Sequence, residues 1–155
     1  MAKGLMNEFS ANDLNLQEFF TCCRRHGLKI TPQRTEVYKI LLGSADHPSA
    51  ETVYQRAREI LPNISLDTVN RTLATLVRIG AAFMVEGCGD VKRFDADMRN
   101  HQHFKCVSCK RIIDFSYKPF ENVEVPAELS RRFKVLRAMV YVEGLCEACQ
   151  ASENQ

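Results

Sequence analysis

Two Cys-x-x-Cys pairs, Cys106/Cys109 and Cys146/Cys149, constrain most tightly what this chain can fold into. Around them, "HFKCVSCKRIIDFSY" and "FKVLRAMVYVEGLCEACQ" read as short β-rich runs flanking one short helical segment, "PAELSRRF". A unit of so few residues buries little core and usually needs a staple. Four thiolates in tetrahedral array suit zinc, and a metal shared by both pairs would tie the first strand of the unit to its last. The alternatives are a redox Cys-x-x-Cys and plain reduced thiols. Two pairs weigh toward the metal, and a redox pair normally leads a helix, whereas these sit among strand-like residues.

The whole chain has 155 residues, of which seven are cysteine. Its N-terminus, "MAKGLMNEFSANDLN", lacks the apolar core of a secretory signal, and no apolar run is long enough to span a bilayer. The expectation is a cytoplasmic protein with no membrane partner. Structural disulfides are disfavoured there, so the cysteine count points to metal or redox chemistry. A hydrophobic content of 45% suits a folded globule, and a net charge of +2 announces no global affinity for nucleic acid. Any such patch would have to be local.

Before residue 95 the pattern is helical. "LNLQEFFTCCRRHG" spaces Leu16, Phe19, Phe20 and Cys23 for one helix face and stops at Gly27. A second helix takes Thr31 as N-cap and Pro32 as first residue, with Val37, Ile40 and Leu41 as its stripe. A third starts at Ser49, buries Val53, Ala57 and Ile60, and ends before Pro62. The fourth, Ser65 to Ile79, has Ser65 as N-cap, Asp67 in its first turn, an apolar face of Val69, Leu73, Leu76 and Val77, and a stop at Gly80. "AAFMVEGCGDVKRFD" then reads as a hairpin turning at Gly87-Cys88-Gly89-Asp90. Helices followed by a two-stranded wing make a winged helix-turn-helix whose fourth helix would lie in the major groove of DNA. Periodicity leaves a plain helical bundle with a hairpin open. Of the remaining cysteines, Cys23 reads as core and Cys88 as an exposed thiol on the wing, while the adjacent Cys22 and Cys23 have no evident shared role.

If Cys106 and Cys109 hold zinc, His101 and His103 are surplus to that site. Alternation along a strand sends both imidazoles to one face. Asp95 and Asp114 lie close by in sequence, and His47, before the third helix, is a further imidazole. Imidazoles with carboxylates suit iron or manganese better than thiolate-loving zinc. The plainer alternative is that each histidine is a solvated polar residue.

The motifs "GLKITPQR", "HPSAETVY", "SLDTVNRTL", "RFD", "HQHFKCVSCKRIIDF" and "GLCEAC" occur in that order from about Leu16 to Cys149. In this the chain resembles the ferric uptake regulator superfamily of repressors. The resemblance implies an α+β fold: an N-terminal winged-helix DNA-binding domain, residues 1–95 with an extension at 1–13, and a small C-terminal α/β dimerisation and metal-sensing domain, residues 96–155. It implies a structural zinc on Cys106, Cys109, Cys146 and Cys149, and a regulatory Fe2+ or Mn2+ on His47, Asp95, His101, His103 and Asp114. Double-stranded operator DNA and a second copy of the chain are the implied partners, with Ser65, Thr68, Asn70 and Arg71 as the DNA-contacting set.

Asp114 stands where iron-sensing members usually carry Glu, and "NHQH" replaces the longer "HHDH" cluster before the first cysteine pair. Both departures resemble the peroxide-responsive branch, in which an iron-loaded site leads to oxidation of a ligand imidazole, His47 or His101, and release of DNA. Manganese would fill the site without that chemistry. A sensor with a sacrificial reaction is not an enzyme. Iron-responsive and other metal-uptake repressors remain the alternative within the family. The family's usual "TVYRTL" reads "TVNRTL" here, and Asn70 exchanges a base-contacting ring for an amide that could pair with adenine. Outside the family, a non-haem iron enzyme would leave the winged helix unexplained and lacks an evident substrate pocket, and a thiol oxidoreductase would use a Cys-x-x-Cys.

Overall fold

The structure, a computed structural model, describes residues 11–85 and 91–153. The chain divides into two compact units, one ending at Met98 and the other beginning at Arg99. The first unit holds helices α1 (Ala11–Arg25), α2 (Pro32–Leu42), α3 (Ala50–Ile60) and α4 (Leu66–Arg78), then strands β1 (Phe83–Val85) and β2 (Arg93–Asp95). Three of the helices start on hydroxyl caps. Thr31 accepts the amide of Arg34, Ser49 that of Thr52 and Ser65 that of Thr68, each satisfying a donor the helix cannot. Gly27 and Gly80 follow α1 and α4 with φ of +66° and +74°, the left-handed conformation in which a glycine costs least.

The core of this unit lies where the apolar stripes of the helices meet. Phe19, Cys23, Val37, Val53, Leu73 and Leu76 are all buried there. Each large apolar side chain so buried contributes about 1.5–3 kcal/mol relative to exposure. Tyr38, outside the expected stripe of α2, stacks on Phe19 at 4.2 Å between ring centroids and donates its hydroxyl to the Asn15 carbonyl at 3.3 Å. Burial, with a smaller contribution from Glu18, pushes its phenol up to about 12. Ile60 departs from expectation. It is the last residue of α3 and stays 57% exposed, because the chain turns at Leu61 and Ile64 joins the core instead. Helix α1 also starts earlier than the Leu16 stripe indicated, at Ala11.

Strands β1 and β2 pair antiparallel with Phe83 opposite Asp95 and Val85 opposite Arg93. The turn expected at residues 87–90, and Cys88 with it, lies outside the described residues. The loop before α3 is tied to β2 by an isolated bridge between Ser49 and Arg93, by the Phe94 amide donating to the Pro48 carbonyl at 3.1 Å, and by the Arg93 guanidinium donating to the His47 carbonyl at 3.2 Å.

The second unit is built on a three-stranded sheet of β3 (Gln102–Cys106), β4 (Ile112–Phe115) and β5 (Tyr141–Gly144), in the order β4-β3-β5. β3 pairs antiparallel with β4 and parallel with β5. Sequence patterning indicates one helix here, but three form: α5 (Lys118–Glu121), α6 (Ala127–Arg132) and α7 (Glu147–Glu153). The apolar run from Phe133 to Val140 is not a strand, since no edge of the described sheet receives it, and Leu136 is 85% exposed. Among the described residues no helix is long and apolar enough to cross a membrane.

Candidate functional site

The parallel pairing of β3 with β5 creates the cysteine cluster. Parallel strands end at the same edge of a sheet, and the register sets Cys106 beside Gly144, two residues before Cys146. The tight connection from β3 to β4 carries Cys109 and closes with Lys110 at a φ of +63°, its amide bound to the Cys106 carbonyl. The approach is close: a Cβ at Gly144 would lie 3.2 Å from the Phe104 ring. The sulfurs of Cys106, Cys109, Cys146 and Cys149 all fall within 4.8 Å of one another. Four sulfurs about 2.3 Å from a central zinc sit about 3.8 Å apart at the corners of a tetrahedron. Cys109 and Cys146 are 3.7 Å apart, far beyond a disulfide bond, so the donor geometry fits the ion.

The backbone also prepares sulfur to act as thiolate. The Cys146 amide donates to Cys106 Sγ at 3.4 Å. That amide and the one of Cys109 pull the Cys106 thiol down to about 6. Cys146 is lowered too, first by the Cys149 amide. Ser108 pulls Cys149 down, but the neighbouring Cys146 thiol and burial outweigh it and push Cys149 up to about 11. Four thiols this close cannot all ionise without a cation among them, and a zinc ion would supply one.

One premise of the sequence reading is corrected here. Cys146 directly precedes α7 and Cys149 lies in its first turn, so the second pair does lead a helix. What sets the cluster apart from a two-thiol redox site is the convergence of four sulfurs within 4.8 Å of one another.

The histidines and carboxylates form one cluster in each unit. In the first, His47 Nε2 lies 3.2 Å from Asp95 Oδ2, with both side chains buried. The ties between the 46–49 loop and β2 hold this pair, and Asp95 is fixed further by the Asp97 amide donating to its Oδ1 at 2.7 Å. His47 takes a φ of +48°, a strained conformation for a residue with a side chain and more so before proline. In the second unit, His103 and Asp114 are direct partners in the β3–β4 register, and Asp114 Oδ1 lies 3.4 Å from His103 Nε2 and 3.8 Å from His101 Nε2. His101 lies just ahead of β3, one residue short of the strand.

The Nε2 atoms of His101 and His103 are 3.0 Å apart. Two lone pairs at that distance repel unless a proton or a cation lies between them. With Nδ1 of His101 against the Arg99 carbonyl at 2.8 Å, the ring proton belongs on Nδ1 and Nε2 is left as a donor for metal. For bonds of about 2.1 Å, neighbouring ligands of a six-coordinate ion lie about 3.0 Å apart. Nitrogen and carboxylate oxygen without sulfur favour iron or manganese over a thiolate-type zinc site.

On α4, the side chains of Asn70 and Arg71 are exposed, on the side opposite buried Leu73 and Leu76. Ser65 and Thr68 bond to each other through their hydroxyls at 2.9 Å as part of the cap. Asn70 donates to the Leu66 carbonyl at 3.1 Å, and Arg71 Nε meets Asp67 Oδ2 at 2.9 Å. Sequence reasoning gave Asp67 only a helix-dipole role and missed its pairing with Arg71, which the i,i+4 spacing could have signalled.

Fold and donor sets together define a metal-binding α+β protein with two chemically distinct kinds of site. The ferric uptake regulator family model matches residues 25–143, and the chain belongs to that family. The peroxide-responsive repressor PerR of Staphylococcus saprophyticus is 34% identical over 143 residues, spanning 92% of this chain and 97% of that protein. Among solved structures, the Helicobacter pylori ferric uptake regulator Fur, with three functional metal-binding sites, superposes with a TM-score of 0.69 over 94% of this chain and 97% of its own, at 24% identity. PerR from Streptococcus pyogenes, described for peroxide sensing and gene regulation, superposes with a TM-score of 0.51 at 26% identity, over 88% of this chain and 93% of its own.

Proposed function

We propose that this chain is a metal-dependent transcriptional repressor that releases operator DNA when peroxide oxidises one of its metal-ligating histidines. The observation that carries the reading is the His101–His103 pair, two imidazole nitrogens 3.0 Å apart beside the Asp114 carboxylate, in a chain whose relatives include peroxide-responsive repressors. His47 and Asp95 from the first unit join His101, His103 and Asp114 from the second as ligands, which couples metal occupancy to the angle between the units. Cys106, Cys109, Cys146 and Cys149 hold a separate, structural zinc. The first unit acts as a winged helix-turn-helix, with α4 as reader and Ser65, Thr68, Asn70 and Arg71 facing DNA. The exposed apolar side chains of Ile113, Val135, Leu136 and Val142 support a homodimer through the second unit. Such a regulator works in the cytoplasm and is not an enzyme.

Each residue has a defined task. The Arg99 carbonyl keeps the proton of His101 on Nδ1, so Nε2 faces the metal. Asp95 and Asp114 supply hard oxygen donors and balance the ion's charge. Iron(II), when bound, would lend the electrons that break the O–O bond of peroxide and recover them from the imidazole, so the ring is the group oxidised. The net change is one oxygen atom inserted into a C–H of the His47 or His101 ring, with the rest of the peroxide leaving as water. An imidazole so altered is a poorer ligand, the coupling between units is lost, and α4 no longer matches its half-site.

The test compares iron-loaded with manganese-loaded protein. Micromolar-scale peroxide is expected to abolish DNA binding of the iron form only, with one added oxygen found by mass spectrometry on the peptide carrying His47 or His101. Oxidation confined to cysteines would replace this reading with a thiol switch. An equal response of both metal forms would leave plain iron sensing.

A further inference from the structure

The ion pair on the outer face of α4 is out of proportion to what it gives the free protein. Arg71 Nε meets Asp67 Oδ2 at 2.9 Å, yet the two side chains are 81% and 71% exposed. A pair so open to water adds little to stability. The helix is already started by the Ser65 cap, and Asp67 can answer the helix dipole without a partner. Its geometry does have a consequence for what Arg71 can touch. A carboxylate beside Nε engages the end of the guanidinium nearest the side-chain stem, and the two terminal nitrogens are the fork that matches guanine O6 and N7.

We propose that Asp67 is a positioning and specificity-determining residue: it holds Arg71 for a base edge and discourages contact with phosphate alone. This rests on the reading of α4 as the DNA-contacting helix. Two effects act in the same direction. Held by Asp67, the Arg71 fork enters the groove with its orientation set, so less freedom is lost on pairing with a base. The Asp67 carboxylate, one turn away, also repels the backbone of every DNA sequence, a cost that only a correct base contact offsets. Without it Arg71 would swing to the nearest phosphate, which raises affinity for all sequences and distinguishes none.

The experiment uses full-length, manganese-loaded protein and two probes of equal length: a duplex selected from a random pool by the unaltered protein, and a scrambled duplex. Asp67→Asn is expected to tighten scrambled-duplex binding by about threefold to tenfold and to weaken selected-duplex binding. The salt slope on scrambled DNA should steepen by about 0.9, as the freed Arg71 adds one phosphate contact. Asp67→Glu should retain most of the discrimination, and thermal midpoints should match the unaltered protein. In an Arg71→Ala background, Asp67→Asn should no longer weaken selected-duplex binding. If Arg71→Ala weakens selected-duplex binding but Asp67→Asn leaves the selected-to-scrambled ratio unchanged or raises it, the role of Asp67 is overturned and the reading of α4 stands. If Arg71→Ala changes neither affinity nor salt slope, the reading of α4 fails and takes this proposal with it.

Discussion

Of the four clustered thiols Cys109 is the exposed one, yet its sulfur sits at tetrahedral-edge distance from Cys146. Replacing that sulfur with a hydroxyl removes one strong donor and converts a closed site into an open one. Cys109→Ser is therefore expected to lose zinc to a mild chelator and to lose the folded second unit with it, because binding energy in such a site is folding energy. Zinc content and circular dichroism check this, and a zinc-loaded, undiminished fold would exclude the four-sulfur site. A single methylene matters equally at Asp114. Asp114→Glu pushes the carboxylate outward from its β4 position opposite His103. The variant should keep metal-dependent DNA binding and respond less to peroxide, read as the fraction of DNA released at fixed oxidant.

At the scale of elements, the ends of the helices proved easier to read than their faces. Thr31, Ser49, Ser65, Gly27 and Gly80 each act where their local chemistry places them, since a cap needs only its own next few residues. Gly80→Ala should cost about 1 kcal/mol, the penalty of a side chain at a φ of +74°, measured by denaturant unfolding. Faces depend on what lies opposite. Ile60 matched the stripe of α3 but lies past the end of the packing, while Tyr38 fell outside the stripe of α2 and is buried by stacking on Phe19. That stacking has a pH signature. The folded phenol titrates near 12, above its ordinary 10, so its contribution to stability is complete below pH 10 and is lost as pH rises through 12. Tyr38→Phe should flatten the loss of stability over that window, seen in unfolding midpoints against pH. The cysteine spacing was legible as a pair of knuckles, but nothing in it revealed α7 behind Cys146, because the helix starts from a turn fixed by distant β3. Likewise, His101 and His103 could be placed on one face, whereas the 3.0 Å between their nitrogens depends on Arg99 and on Asp114 across the sheet.

Across the whole molecule, stability is unevenly supplied. The first unit has a core of its own, whereas the buried side chains among the described residues of the second are Gln102, His103, Cys106, Ile112 and Cys146, of which two are thiols of the four-cysteine cluster. Stripping metal from the full chain should therefore remove amide protection from β3 and β5 while α2, α3 and α4 keep theirs, as hydrogen exchange will show. Equal loss in both units would mean that the helices also depend on metal. The same arrangement sets an order of events in time. The middle strand of the sheet, β3, has its antiparallel partner β4 a few residues away, but its parallel partner β5 arrives only after the long passage through α5 and α6. Closing so distant a pairing is slow, and until it closes one edge of β3 stands open to any other strand, including that of a second unfinished chain. During synthesis the helical unit emerges and folds first. If the last cysteine pair captures zinc as proposed, that event would end the interval of exposure, and the supply of the ion would govern how many new chains complete the second unit.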